Sequence, residues 1–184
     1  MFIIKKNYYL YIDNTKSINL NLIKRNSKII IIYRNYKNNE KVNLIIKFRK
    51  MCKIKNIKFL VANNVELMKI TKADGLYISA YNNNIYKNIY TIGSAHSFSE
   101  INQKIKQKCE VVILSRLFKT HYRNKKGFFG ILKFNLINQK YKYNLIPLGG
   151  INNLNLLKLK LIKSNGFGIL SSIKKKPVIT NRLF

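Results

Sequence analysis

Gly149-Gly150 and Leu170-Ser171-Ser172 are the stretches of this sequence best suited to holding a phosphate. Glycine lets the backbone approach an anion closely, and successive amides beside a helix start supply donors. A tight turn and a serine helix cap would use the same residues. Arg34 and Lys37 add cations. The segment Phe118 to Gly127, which holds Thr120, His121, Arg123, Lys125 and Lys126, could close over a polyphosphate next to a flexible glycine, or form a solvated basic loop. Ser94, Asn63, Asn64 and Asn82 supply uncharged donors and acceptors. His96 could act as a general acid or base, the role histidine serves most often, but no Asp or Glu stands nearby in sequence to orient it. It reads as a hydrogen-bonding neighbour of a site, with Glu100 as a helix cap. Cys52 and Cys109 have no nearby His and read as packing residues, which fits a reducing compartment. The whole set is polar and cationic with almost no carboxylate. Its chemistry is anion binding.

Eight short apolar runs must bring these residues together: Tyr8 to Ile12, Ile29 to Arg34, Lys58 to Asn63, Gly75 to Ser79, Tyr90 to Ala95, Glu110 to Ser115, Asn144 to Gly149 and Gly168 to Ser171. Several are continuously apolar, as parallel strands covered on both faces are. Helix start signals lie between them. Asn63 with Glu66, and Ser97 with Glu100, have capping-box spacing. Phe98, Ile101 and Ile105 then fall on one helical face, and Gly166 suits a left-handed helix end after Leu154 to Ile162. The alternation predicts an α/β fold, a compact (β/α)8 TIM barrel with short helices. The final segment Lys174 to Phe184, with Pro177, makes a poor and incomplete last helix. No linker interrupts residues 1–184, so one domain is expected. In such a barrel the strands' C-terminal ends carry the site, and collecting those ends gives Arg34 and Lys37, Asn63 and Asn64, Asn82, Ser94 and His96, Thr120 to Lys126, Gly149 and Gly150, and Ser171 with Ser172.

Of the 184 residues 47% are hydrophobic, enough for a sizeable core. Lys plus Arg number 36 against 6 acids, a formal charge of +30. That surplus fits a polyanion partner or steering of small phosphorylated ligands. Yet the lysines are spread over the chain and accompany runs such as Asn82-Asn83-Asn84 and Ile29 to Ile32. A/T-rich coding explains all three residue types together, so a nucleic acid partner is not expected. No apolar run reaches the roughly 18 residues of a membrane span, and no cleavage site follows Met1 to Ile12; a cytoplasmic protein without a membrane partner is expected.

Seven pieces, taken in order, resemble one family. They are Tyr33-Arg34, Ala62-Asn63-Asn64-Val65-Glu66-Leu67, Ala73-Asp74-Gly75-Leu76-Tyr77-Ile78, Gly93-Ser94-Ala95-His96-Ser97, Leu117-Phe118-Lys119-Thr120, Ile146-Pro147-Leu148-Gly149-Gly150-Ile151-Asn152 and Gly168-Ile169-Leu170-Ser171-Ser172-Ile173. Together they are similar to thiamine phosphate synthases and the related TenI-type thiazole tautomerases, in register from about Ile29 to Ile173. The resemblance implies a compact (β/α)8 barrel in which hydroxymethylpyrimidine pyrophosphate is joined to thiazole phosphate with loss of pyrophosphate, assisted by Mg2+. It implies that Arg34 holds pyrophosphate and that Ser94 contacts the pyrophosphate or the pyrimidine. Thr120, Gly150, Leu170 and Ser171 would bind the thiazole phosphate, and Arg123 or Lys125 would stand in for a loop lysine.

Where the synthases carry aspartate ligands for magnesium, this chain has Asn64 and Asn82. Ile32 replaces a glutamine, Tyr36 a lysine with Lys37 adjacent, and Arg116 aligns with the tautomerase's catalytic histidine. Four functions follow as alternatives: a synthase diverged at its metal site, a non-catalytic barrel binding thiazole or thiamine phosphates, a tautomerase using His96 or His121, and a polyanion-binding protein.

Overall fold

In the computed structural model, residues 7–37, 39–120, 127–152 and 154–169 are described. Eight strands form in chain order: β1 Asn7–Ile12, β2 Ile29–Tyr33, β3 Lys58–Ala62, β4 Gly75–Ile78, β5 Thr91–Ala95, β6 Val111–Ser115, β7 Leu145–Leu148 and β8 Gly166–Ile169. Each pairs in parallel with the next, and β8 returns to β1 through Tyr8↔Phe167 and Leu10↔Ile169, which closes a barrel. All eight expected runs are strands, shifted by at most two residues. Closure buries both faces, which is why Ile29–Tyr33 carries no polar alternation.

The two faces separate by period two. Tyr9, Tyr11, Ile30, Ile32, Leu60, Tyr77, Ile92, Ile113, Ile146 and Leu148 fill the barrel interior. Their neighbours, among them Leu10, Ile31, Phe59, Val61, Val112, Leu114 and Phe167, pack outward against the helices. The interior is therefore a solid apolar core that supports a floor for chemistry at one end.

Among the described residues four α-helices form: α1 Val42–Ile54, α2 Val65–Thr71, α3 Phe98–Lys106 and α4 Gly130–Tyr141. They follow β2, β3, β5 and β6. Elsewhere the expected strand–helix alternation gives way to tighter forms. Two 3-10 turns, Thr15–Ser17 and Leu20–Leu22, link β1 to β2, and Leu156–Leu161 is 3-10 where an α-helix was expected. Residues 79–90, between β4 and β5, contain no helix.

Three local expectations are corrected. Gly166 opens β8 instead of ending a helix: a side chain there would run into the Asn7 carbonyl of β1, so the glycine serves close strand approach. The cap of α2 is Asn64, whose Oδ1 accepts from Leu67 N at 2.8 Å. Asn63 sits one residue earlier with φ +54, a left-handed turn that asparagine tolerates. In α3, Ile101 is buried and Ile105 half-buried, but Phe98 is exposed and stacks on Tyr141 of α4 with ring centroids 6.3 Å apart. The Ser97 cap is as expected, with Ser97 Oγ accepting from Glu100 N at 3.2 Å and the Glu100 carboxylate accepting from His96 N at 2.6 Å.

An ion pair between buried Arg49 and exposed Asp74 fixes α1 to the barrel. Arg49 Nη2 lies 2.7 Å from Asp74 Oδ1, Arg49 Nε donates to Lys72 O, and Asp74 Oδ2 accepts from Phe59 N at 2.7 Å. Cys52 and Cys109 are fully buried free thiols, in keeping with a packing role, and burial raises the pKa of both. Among the described residues no helix is long and apolar enough to cross a membrane. Lys174 to Phe184 lies outside the described residues.

Candidate active site

The inward-facing set changes character as the strands reach their C-terminal ends. In β5, Ile92 is followed two residues on by Ser94; in β6, Ile113 is followed by Ser115. Period two thus carries the apolar filling upward into hydroxyls at the barrel mouth. Ser94 is buried there. His96, two residues beyond Ser94, receives or donates a hydrogen bond at Nδ1 with Ser115 Oγ at 2.7 Å. Ser115 is thus a side-chain partner of His96 that sequence spacing does not reveal.

Arg34 follows β2, its amide bonded to Ile12 O at 2.7 Å. Its guanidinium carbon lies 4.9 Å from the Tyr11 ring centroid and 5.1 Å from that of Tyr36. Tyr11 belongs to the barrel interior and makes an edge contact with Tyr77. Arg34 is therefore anchored over the mouth, and a planar fork held by rings keeps its N–H donors for an oxyanion. Lys37 is exposed on the loop after Arg34, its amide bonded to Asn35 Oδ1. The same loop is tied down by Glu40, which accepts from Thr15 N at 3.0 Å, from the Thr15 hydroxyl, and from Tyr33 OH at 2.9 Å. That carboxylate is spent on structure.

Gly149 and Gly150 both have positive φ, +98 and +69. The β6 and β7 loops are stitched together here: Leu117 N donates to Leu148 O and Phe118 N to Gly149 O. A side chain at 150 would meet the carbonyls of Phe118 and Lys119, so the fold itself demands glycine there. Asn155 Nδ2 donates to Gly150 O at 2.7 Å and holds the following turn. Thr120 is half-buried and follows Lys119, whose carbonyl a side chain at 150 would meet. The structure thus brings Thr120 and Gly150 into neighbouring loops. Arg123, Lys125, Leu170 and Ser171 lie outside the described residues.

Asn63, Asn64 and Asn82 meet at the ends of β3 and β4. Asn63 Oδ1 accepts from Ser79 N at 2.9 Å and from Asn82 Nδ2 at 3.2 Å; Asn82 Nδ2 also donates to Tyr86 OH, and Asn82 Oδ1 accepts from Asn84 N at 2.9 Å. Asn64 Oδ1 caps α2. The side-chain oxygens expected to hold Mg2+ are neutral and already accept amide protons. A hard dication selects carboxylate oxygens, and no group of three or more His, Cys, Asp or Glu fit for a metal occurs among the described residues. These residues do not fit a magnesium site.

Sequence reasoning missed Tyr11, Tyr36 and Ser115. The pairing Tyr11↔Ile32 puts Tyr11 next to the strand that ends in Arg34. Only the barrel's closure reveals that this ring faces inward.

Comparison with known proteins agrees with this geometry. A curated thiamine-phosphate synthase of Prochlorococcus marinus subsp. pastoris is 28% identical over 140 residues, covering 71% of this chain and 40% of that protein. A second, from another Prochlorococcus marinus strain, is 27% identical over 130 residues, 67% of this chain and 38% of that one. The chain therefore spans about two fifths of the length of these curated relatives. Among solved structures, thiamine phosphate pyrophosphorylase from Pyrococcus furiosus superposes with a TM-score of 0.76 at 17% identity, over 96% of this chain and 91% of that one. KGPDC from Streptococcus mutans shares the fold with a TM-score of 0.65 at 9% identity, over 97% and 93%. The thiamine monophosphate synthase family model matches residues 3–173, reaching well before the motifs that begin near Ile29, and with the closed barrel and its cationic mouth this chain belongs to that family.

Proposed function

We propose that this chain is a thiamine phosphate synthase-type transferase. It joins hydroxymethylpyrimidine pyrophosphate to thiazole phosphate and releases pyrophosphate. The bond from the pyrimidine methylene carbon to pyrophosphate oxygen breaks, and its electron pair leaves with the oxygen. The thiazole nitrogen lone pair then forms the new C–N bond. Such a reaction needs a stabilised leaving group and a positioned nucleophile, with no strong base. Arg34 holds the departing pyrophosphate and Ser94 contacts the pyrophosphate or pyrimidine. Thr120 and Gly150, with Leu170 and Ser171, hold the thiazole phosphate, and Arg123 or Lys125 adds charge from the loop. The observation that carries this reading is Arg34, fixed between two tyrosine rings above the barrel mouth. With Asn64 and Asn82 engaged in structure, Arg34 and Lys37, with the basic residues of the sequence after β6, neutralise the leaving group in place of a metal held at those asparagines.

A second reading, a non-catalytic barrel that binds thiazole or thiamine phosphates, is favoured by the same committed asparagines. Product formation from the two substrates, with added Mg2+ and with chelator, separates the two. Turnover that is lost in Arg34→Ala supports the synthase, and turnover surviving chelator supports cationic replacement of the metal. Saturable thiazole phosphate binding without product supports the binding protein. Neither product nor binding overturns both.

A further inference from the structure

The linker between β4 and β5, residues 79–90, has no helix to shape it, yet it carries Asn82 and ends in a buried strand. Its shape comes from the far side of the sheet. Lys104 of α3 is fully buried, and its Nζ donates to Asn82 O at 2.7 Å and to Gln107 Oε1 at 2.8 Å. Gln107 is buried as well, and its Nε2 donates to Asn82 O at 2.9 Å and to Asn84 O at 2.7 Å. The lysine stem passes directly over β5 at Gly93, where an added Cβ would lie 2.7 Å from Lys104 Cδ and 2.8 Å from Cγ. The glycine leaves the channel by which an ammonium reaches the loop.

Asn82 is consequently a hub. Its amide donates to Ser79 O, its carbonyl takes two donors from α3, its Oδ1 takes Asn84 N, and its Nδ2 reaches Asn63 and Tyr86. Asn63 in turn accepts Ser79 N, so the ends of β3 and β4 are set relative to one another through this residue. A buried ammonium with no carboxylate within hydrogen-bond reach is costly. Two carbonyl acceptors, one backbone and one amide, are what it meets, and both belong to the clamp.

We propose that Lys104, assisted by Gln107, is a positioning residue: from behind β5 it locks the β4–β5 loop and thereby sets the Asn63–Asn82 corner of the mouth for the pyrophosphate-bearing substrate. The kinetic arm of this inference rests on the synthase reading; the structural arm does not.

Lys104→Met keeps the stem and removes the donor; Lys104→Arg restores charge and donors; Gln107→Leu breaks the second half if Lys104→Met does not fold. Amide exchange over residues 79–90 is expected to speed up about tenfold or more in Lys104→Met, with β1 and β2 unchanged. The KM for pyrimidine pyrophosphate is expected to rise about tenfold while that for thiazole phosphate stays within about twofold, and Lys104→Arg is expected to recover most of both effects. General destabilisation would not separate the two substrates. Loop exchange at the wild-type rate in folded Lys104→Met, or equal rises in both KM values, overturns the proposal. If the wild-type chain forms no product, the synthase reading falls and exchange alone decides the clamp: acceleration supports it, unchanged protection refutes it.

Discussion

The support of Arg34 by two rings has a consequence that a double-mutant cycle can measure. Tyr36 is 77% exposed and touches Arg34 at 5.1 Å, so its contribution belongs to the exposed end of cation–π energies. That is about 0.5–1 kcal/mol, or about two- to fivefold in kcat/KM if the ring acts by holding the guanidinium in place. In the proposed reaction Arg34 presents a fork to a pyrophosphate. Two charge-assisted hydrogen bonds at about 1.5 kcal/mol each give about 3 kcal/mol, roughly 150-fold in kcat/KM for Arg34→Ala. Because Tyr36 acts through Arg34, Tyr36→Ala in the Arg34→Ala background should cost nothing more. The assay is steady-state product formation with pyrimidine pyrophosphate varied, in wild type, both single variants and the double. The coupling energy should equal the Tyr36 effect. An undiminished Tyr36→Ala penalty without the arginine would refute the argument, since Tyr36 would then touch substrate directly. Arg34→Ala at wild-type rate would refute the placement of pyrophosphate altogether.

Gly150→Ala places a methyl against the Phe118 carbonyl at φ +69; thiazole phosphate affinity measured by calorimetry should fall about tenfold while pyrimidine pyrophosphate binding is retained. Arg49→Met leaves Asp74, which still accepts Phe59 N, without its cation; because that carboxylate is exposed, the cost should be about 1 kcal/mol in denaturant unfolding, or a melting temperature lower by about 2–4 °C. Burial pushes the Cys52 thiol up from 9.0 to about 12. Above pH 9 the unfolded thiol loses a proton that the folded one keeps, so stability falls as pH rises through that window. Between pH 8 and 10 the Cys52 share of that loss is about 1.4 kcal/mol, and Cys52→Ala should flatten the unfolding free energy against pH by that amount. An equal slope in both proteins would show that Cys52 does not carry it.

How far the sequence foretells all this differs from element to element. The strands are legible because closing a parallel sheet requires uninterrupted apolar runs, and Ile29–Tyr33 or Val111–Ser115 admit little else. Ser97 with Glu100 is legible because capping is local. Gly166 is misread because glycine ends helices and permits close strands equally well, and only the neighbour decides, here Asn7, 159 residues earlier in the chain. Arg34, Ser94, Thr120 and the Gly149-Gly150 pair are placed by the rule that barrel chemistry gathers at strand ends. The parts that hold them escape it. Lys104 looks like any lysine on an amphipathic helix, and its burial follows from an absent side chain at Gly93 on a different element.

The asparagines at the corner of β3 and β4 bear on the reaction through charge. In the family that this chain resembles, two aspartates and a magnesium ion together sum to zero. Two amides without the ion also sum to zero. Exchanging Asp for Asn at 64 and 82 therefore leaves the net charge of that corner unchanged, while the direct contact between a dication and the leaving pyrophosphate is lost. Glu40, on the loop after β2, does not supply a ligand, since it is bonded to Thr15 and Tyr33. In the proposed reaction long-range attraction for a pyrophosphate would still come from Arg34 and Lys37, and it should be salt-dependent as exposed charges are. What changes is local stabilisation as the bond breaks. Uniform attraction lowers KM, whereas contacts that strengthen as charge develops raise kcat. The divergence at these two positions should accordingly appear as tight substrate binding with a slow chemical step, indifferent to chelator. Faster, Mg2+-dependent turnover after Asn64→Asp and Asn82→Asp, in which carboxylate oxygens keep the bonds accepted from Leu67 N and Asn84 N but lose the Asn82 Nδ2 donations to Asn63 and Tyr86, would support this division. Rapid chelator-sensitive turnover in the unaltered chain would refute it.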